Sequence, residues 1–156
     1  MKKLFIYYSY TGNGDIVADK IKEKDIEIRA ITPKKPLPKS FLGGMLTGGF
    51  LAGIKAKTPL LDFDSDISNY DEVIIGSPIW NARFSAPINT VLYELKGTDK
   101  KISFILYAGS GTGKKAEKRI NKEYPGAKVL FLQEPKKYQE FLCSGTHLVA
   151  FAFLVA

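Results

Sequence analysis

Residues 2–15 read KKLFIYYSYTGNGD, a run of aromatic and β-branched residues that stops abruptly in hydroxyls and glycines. Apolar on consecutive rather than alternate positions, the run predicts a strand buried on both faces, as in parallel sheets covered by helices. Beyond it, Ile16, Val17 and Ile21 recur among Asp, Lys and Glu, the pattern of an amphipathic helix reaching about Lys24. Asp15 falls in its first turn, where negative charge suits the positive helix end. Two lysines ahead of so short an apolar run do not make a secretory leader, so the segment reads as a first strand.

The same alternation continues outward. Asp25 to Ile31 (DIEIRAI) alternates polar and apolar residues like a half-covered edge strand, and Pro33, Pro36 and Pro38 then end regular structure. Ser40 to Lys57 is apolar and broken by the pairs Gly43/Gly44 and Gly48/Gly49; its length and Ser40 cap predict a helix. Such a helix is either a packed crossover or a dimer or membrane face. Asp71 to Ser77 is a third strand expected to end in a Ser-Pro turn, followed by a loop over Ile79 to Ala86 and a helix over Pro87 to Leu95. Lys101 to Ala108 is a fourth strand, Gly109 to Gly113 a turn, the next segment a basic helix to Glu123, and Ala127 to Leu132 a fifth strand. Five apolar strands alternating with helices specify an α/β domain with a parallel sheet and right-handed crossovers. Ligands of such sheets bind outside the carboxyl ends of the strands, where strand order reverses. That directs attention to the turns at 9–14, 77–86 and 108–113.

Composition narrows the function classes. The 156 residues fit one domain, and 45% hydrophobic with 25% charged residues excludes disorder and coiled coil. Cys143 is the only cysteine and His147 the only histidine, which rules out an internal disulfide, a multi-cysteine metal site and any site needing two histidines. A reducing, cytoplasmic setting is expected. The net charge of +7 favours anionic ligands or partners.

The turn Ser9-Tyr10-Thr11-Gly12-Asn13-Gly14 offers two small hydroxyls, an amide and backbone N–H groups at a helix start, and no Lys or Arg. It suits a phosphate held by neutral donors, each hydrogen bond to the charged group contributing about 1.5–3 kcal/mol. The plainer alternative is a strand-to-helix turn capped by Thr11 or Asn13. Gly109 to Lys115 (GSGTGKK) suggests a nucleotide-triphosphate loop but fails: Ala108 stands where the first glycine belongs and Lys115 where the magnesium-binding hydroxyl belongs.

The order strand, Ser9 to Gly14, helix resembles the FMN phosphate loop of the flavodoxin-like proteins, whose pattern is Ser/Thr-x-Thr-Gly-Asn-Thr/Gly. Residues 71–88 (DEVIIGSPIWNARFSAPI) are similar to the second flavin loop of that family. The resemblance spans about Lys2 to Pro135. It implies a three-layer sandwich with a five-stranded parallel sheet in the order 2-1-3-4-5 and FMN held non-covalently. By the same resemblance Ser9, Tyr10, Thr11, Gly12, Asn13 and Gly14 hold the phosphate. Ser77, Pro78, Ile79, Trp80 and Asn81 frame the ring, and Gly109, Ser110, Gly111, Thr112 and Gly113 its far edge. Trp80 is placed to stack on the flavin; as a plain structural residue it would be a lid over the sheet edge.

Members of the family often carry glycine after this tryptophan, where a peptide can flip; Asn81 and Ala82 stand there instead. No aromatic follows Ala108 within the loop to Gly113, which leaves the outer flavin face open to a nicotinamide or quinone. This favours an oxidoreductase taking electrons from NAD(P)H and passing them to a quinone, flavin or protein acceptor, with no protein side chain as acid or base. The alternative is an electron carrier without turnover of its own. Lys114, Lys115, Lys118, Arg119 and Lys122, with Lys136 and Lys137, form a basic rim able to steer NADPH phosphate or an acidic redox protein. No nucleic-acid recognition motif accompanies them, so nucleic acid is not an expected partner.

The fold calls for a last amphipathic helix, yet residues 141–156 (FLCSGTHLVAFAFLVA) carry no acid, lysine or arginine. The segment lacks a polar side and is too short for a bilayer span of about 20 residues, so membrane insertion is not expected. A homodimer contact or an atypical terminus would accommodate it, with Cys143 and His147 in structural roles.

Overall fold

A computed structural model describes residues 1–22, 24 and 26–138. The expectations for the segment 141–156, Cys143 and His147 therefore lie outside the described residues. The elements run β1 (Lys3–Tyr7), α1 (Asn13–Lys22), β2 (Glu27–Ala30), β3 (Thr32–Pro33), α2 (Phe41–Gly53), β4 (Leu60–Leu61), β5 (Glu72–Trp80), β6 (Arg83–Phe84), α3 (Ala86–Glu94), β7 (Lys101–Ala108), α4 (Lys114–Glu123) and β8 (Val129–Gln133). The main sheet has the order β2-β1-β5-β7-β8, with every pair parallel. Counting its five long strands, this is 2-1-3-4-5, the expected flavodoxin-like arrangement. On one face Val17, Ala18 and Ile21 of α1 pack with Phe5 and Tyr7 of β1. On the other, Ile88, Val91 and Leu92 of α3 and Ala116 and Ile120 of α4 pack with Leu4 and Ile6.

The boundaries at the carboxyl end of the sheet differ from the sequence reading for physical reasons. β5 runs through Ser77-Pro78 to Trp80 instead of turning there. β1 ends opposite Gly76, whose carbonyl faces β1 and accepts from the Tyr8 N–H at 3.1 Å. Pro78, two residues on, turns its donor-less nitrogen to that same side, where no strand remains to be paired. The stretch read as a loop over 79–86 instead folds back as the two-residue strand β6, antiparallel to β5, which adds a sixth strand to the sheet. Pro33, expected only to end regular structure, lies in β3, paired with Leu60 of β4.

The glycine-broken segment does form a helix, capped by Ser40, whose Oγ accepts from the Gly43 N–H at 3.2 Å. Close approach explains Gly44 and Gly48, while Gly49 faces open space. A Cβ on Gly44 would lie 1.7 Å from the Tyr10 hydroxyl, and one on Gly48 would lie 2.5 Å from the Trp80 indole. The helix therefore seats on two aromatic rings at the sheet edge while Leu42, Leu46 and Phe50 on it, and Ile54 just after it, stay exposed. Among the described residues no helix is long and apolar enough to cross a membrane.

At the amino ends of the strands Lys3, Glu72 and Lys101 are consecutive partners across β1, β5 and β7. Glu72 is fully buried; its Oε2 lies 3.5 Å from Lys3 Nζ and 4.0 Å from Lys101 Nζ, and Ser103 Oγ donates to Oε1. Removing one partner of a buried ion pair costs about 3–5 kcal/mol, because the other charge stays desolvated. Glu72→Gln is expected to lower unfolding free energy by about that amount in urea titration. A loss below about 1 kcal/mol would show that Lys3 finds water instead.

Candidate functional site

Parallel strands end at one edge, so β1, β5 and β7 deliver three turns side by side. The first follows β1. Ser9 Oγ and Tyr7 Oη both donate to the Asp15 carboxylate, at 2.8 and 3.0 Å. Asn13 Nδ2 donates to Thr11 Oγ1 at 3.0 Å, tying the loop to itself, and Gly12 takes a left-handed φ of +91°. The helix opens at Asn13, two residues earlier than the apolar spacing suggests, and its opening amides have no intrahelical acceptor. A Cβ on Gly14 would fall 2.6 Å from Tyr107 Oη and 2.8 Å from Tyr7 Cδ2, so only glycine lets α1 start this close to the sheet.

Beneath this turn lies a set of tyrosines absent from the sequence reading. Tyr107 is buried and donates its hydroxyl to the Tyr8 carbonyl. Burial, and then the neighbouring Tyr7, pushes the Tyr107 phenol well up. Burial likewise pushes Tyr8 up to about 12, with Tyr10 adding to the effect. Tyr7 rises as well, first through burial and then through its bond to Asp15. These rings stay protonated and neutral, and Tyr7 and Tyr107 act as donors, to Asp15 and to the Tyr8 carbonyl, that tie the end of β1 to α1 and β7.

Lys136 is the second feature that the sequence did not place at this turn. Its N–H donates to Asn13 Oδ1 at 2.9 Å and its Nζ to the Thr11 carbonyl at 3.4 Å. A loop without basic residues of its own thus acquires an ammonium group from 123 positions away. No local signal marks it; only the return of the chain after β8 brings it there.

The second turn is a tight hairpin. Ile79 pairs with Phe84 and Trp80 with Arg83, leaving Asn81 and Ala82 as a two-residue loop with φ of +50° and +58°. Positive φ at both positions is the I′ geometry that fits the twist of paired strands. The Ala82 carbonyl accepts from the Ala116 N–H at 2.8 Å, so the tip is clamped to the first turn of α4. The indole of Trp80 meets Tyr8 and Tyr10 edge-on, at 6.2 and 5.7 Å between ring centres, and is only partly buried. Ser77 is fully buried and donates to the Pro78 carbonyl at 2.9 Å, so its hydroxyl is engaged within the strand and, like Pro78, it does not line the cleft.

The third turn, Gly109 to Gly113, faces the second across a cleft of about 410 Å³ lined by Ile79, Asn81, Ala82, Gly109, Ser110 and Thr112, with Lys114 and Lys115 at its mouth. Gln133 of β8 braces it, its Nε2 donating to the Gly109 carbonyl at 3.1 Å. Ser9 to Gly14, Ile79 to Asn81 and Gly109 to Thr112 are thus gathered at one edge, with Tyr10 touching Trp80 between the first two.

These features define a doubly wound α/β protein with a glycine-rich strand-to-helix turn and a cleft at the reversal of strand order. The chain belongs to the flavodoxin family, whose model matches residues 2–137. Solved structures share the fold. A flavoprotein from Lactobacillus acidophilus NCFM, solved in complex with FMN, is 21% identical, covering 89% of this chain and 97% of its own at a TM-score of 0.66. A protein from Bacteroides uniformis ATCC 8492 is 22% identical over 92% of this chain and 98% of its own, with a TM-score of 0.69. Oxidised flavodoxin 2 from Bacillus cereus is 17% identical over 98% and 99%, with a TM-score of 0.53. No curated protein sequence matches this one.

Alanine in the left-handed region costs about 1–2 kcal/mol, partly offset by the unfolded-state entropy that glycine adds, about 0.5–1 kcal/mol. Ala82→Gly is therefore expected to stabilise the protein by about 0.5–1 kcal/mol, read as a shift in urea midpoint at constant slope. A destabilised variant would show that the hairpin tip carries no strain.

Proposed function

We propose that this chain binds FMN at the strand-end edge and passes electrons from NAD(P)H through it to a quinone, flavin or protein acceptor. The observation that carries the reading is the turn at 9–14, where helix-opening amides, small hydroxyls and the Lys136 ammonium converge beside an indole. The residues fit the group. A phosphate dianion would meet the amides opening α1, the Thr11 hydroxyl and Lys136. The isoalloxazine would enter the cleft between the hairpin at Ile79 to Ala82 and Gly109 to Thr112, with the Trp80 indole, packed against α2 and Tyr10, beside the cleft and not on its wall. Hydrogen bonds to the charged phosphate at about 1.5–3 kcal/mol each, with ring burial, suffice for micromolar affinity after association costs. Bound FMN supplies the redox chemistry, and the protein supplies position and electrostatics.

The residues of this chain account for the rest. Asp15 holds Ser9 and Tyr7 in place and so fixes the shape of the phosphate turn. The clamped hairpin presents the backbone of Asn81 and Ala82 to the cleft in one conformation. The third turn carries only small side chains from Gly109 to Gly113, which leaves one side of the cleft open to a planar donor or acceptor. The net positive charge favours the anionic reduced ring more than an acidic carrier would.

Titrating apoprotein with FMN should quench Trp80 fluorescence with a micromolar or tighter Kd, and Lys136→Ala should weaken binding by about tenfold, as for one lost charge-assisted contact. Adding NADPH to the yellow protein without air should bleach it. Bleaching only through a reductase protein would make the chain a carrier, and failure to take up FMN would remove both readings.

A further inference from the structure

A second, larger hollow lies away from the strand-end edge, between the end of α2, α3 and α4. It has a volume of about 530 Å³, and Lys55, Lys57, Lys96 and Arg119 stand on its walls against a single acid, Glu123. Two tyrosines, Tyr93 and Tyr124, line it as well. An adjoining hollow of about 170 Å³ shares Lys55 and Arg119 with it and adds Arg83, Lys115 and Lys118 with no acid. Lys115 also borders the strand-end cleft. Shared cations thus link the three hollows in a cationic track: Lys55 and Arg119 border the first two, and Lys115 borders the second and the strand-end cleft.

This is more than a solvated helix face, because its cations are set by the fold. The segment after α2 is stapled to α3: Asn89 Nδ2 donates to the Ala56 carbonyl at 3.0 Å, and Thr90 Oγ1 donates to the Thr58 carbonyl at 2.7 Å while accepting from the Thr58 N–H at 2.9 Å. Lys55, next to that staple, takes a left-handed φ of +54°. Asn89 also accepts from Arg119 Nη1 at 2.6 Å, and Arg119 Nε donates to Glu123 Oε2 at 2.9 Å over the ring of Phe84. One buried asparagine thus joins the lysine-bearing segment to the arginine. Lys57 Nζ stands 3.3 Å from the centre of the Tyr93 ring. Seven cations facing one acid repel each other, and a bound polyanion relieves that repulsion.

We propose that this hollow binds the adenosine end of NADPH, with its 2′-phosphate among Lys55, Lys57 and Arg119 and its base beside Tyr93 and Tyr124. The inference rests on the reading of the protein as an FMN-dependent oxidoreductase and names its donor. Arg119, fixed by Asn89 and Glu123, adds positive charge beside the two lysines where a phosphate monoester would sit, and the tyrosines on the walls suit a purine. The track leads the rest of the dinucleotide toward the open side of the ring cleft. NADH, without the extra phosphate, gains far less from the same walls.

The test uses adenosine 2′,5′-bisphosphate, which has no nicotinamide and cannot be turned over, in calorimetric titration of the full chain with and without FMN. The expected result is binding in both states, at least tenfold weaker for 5′-AMP and for inorganic phosphate. The double variant Lys55→Gln/Lys57→Gln should bind the bisphosphate at least tenfold more weakly while its FMN affinity, measured in parallel, is unchanged. No binding to the unaltered chain overturns the proposal, as does undiminished binding to the double variant. Displacement by FMN would place the probe at the phosphate turn and also overturn it, and inorganic phosphate binding equally well would reduce the hollow to a simple anion site. A single-stranded oligonucleotide displacing the probe at equal or lower concentration would assign the track to nucleic acid instead. Because FMN uptake is measured separately, loss of the flavin reading is told apart from loss of this one.

Discussion

The placement of β1 between β2 and β5 is the constraint from which the rest of the structure follows. Leu4, Phe5 and Ile6 are completely buried, each contributing about 1.5–3 kcal/mol against exposure, and both edges of the strand are paired in parallel. A parallel central strand has to release its chain at the carboxyl edge, and β5 and β7 on one side do the same. The Lys3, Glu72 and Lys101 row at the opposite edge holds that register, because a slip by one residue would part a buried carboxylate from its lysines. The position of the site is thus a consequence of strand pairing, and its three turns need no contact with a ligand to be brought together.

What the fold contributes beyond placement is rigidity obtained from unusual packing. Gly44 and Gly48 let α2 lie directly on Tyr10 and Trp80, so the aromatic wall is backed by a helix. Tyr107 reaches under the first turn to the Tyr8 carbonyl, and Gly14 leaves just enough room for it. The hairpin at Asn81-Ala82 accepts backbone strain and is held there by Ala116. Each feature ties one turn to a different layer of the sandwich, which limits the conformational entropy that a bound ring would otherwise have to offset.

The strands and the order of elements were legible because they depend on local apolar runs and turn residues, as in KKLFIYY and DEVIIGS. The place of Trp80 and of the 9–14 turn at the strand ends was legible for the same reason, whereas what packs against them from α2, β7 and the chain after β8 was not. Pro78 misled because proline's cost depends on which side of a strand is unpaired, and that is decided by where β1 ends. Lys136 and Tyr107 were out of reach of any local pattern: one arrives from beyond β8 and the other looks like one more buried strand residue. Asn81 and Ala82 stand out in the sequence for replacing glycine after Trp80, but the strand that follows them is two residues long and too short to show a period.

Flavin recognition through the phosphate turn is the central claim, and comparing FMN with riboflavin isolates it, since the two differ only in the phosphate. Measured by equilibrium dialysis against the apoprotein, FMN should bind at least a hundredfold more tightly, corresponding to about 2.7 kcal/mol carried by the amides opening α1, Thr11 and Lys136. Equal affinities would show that the turn at 9–14 holds no phosphate and would contradict the account.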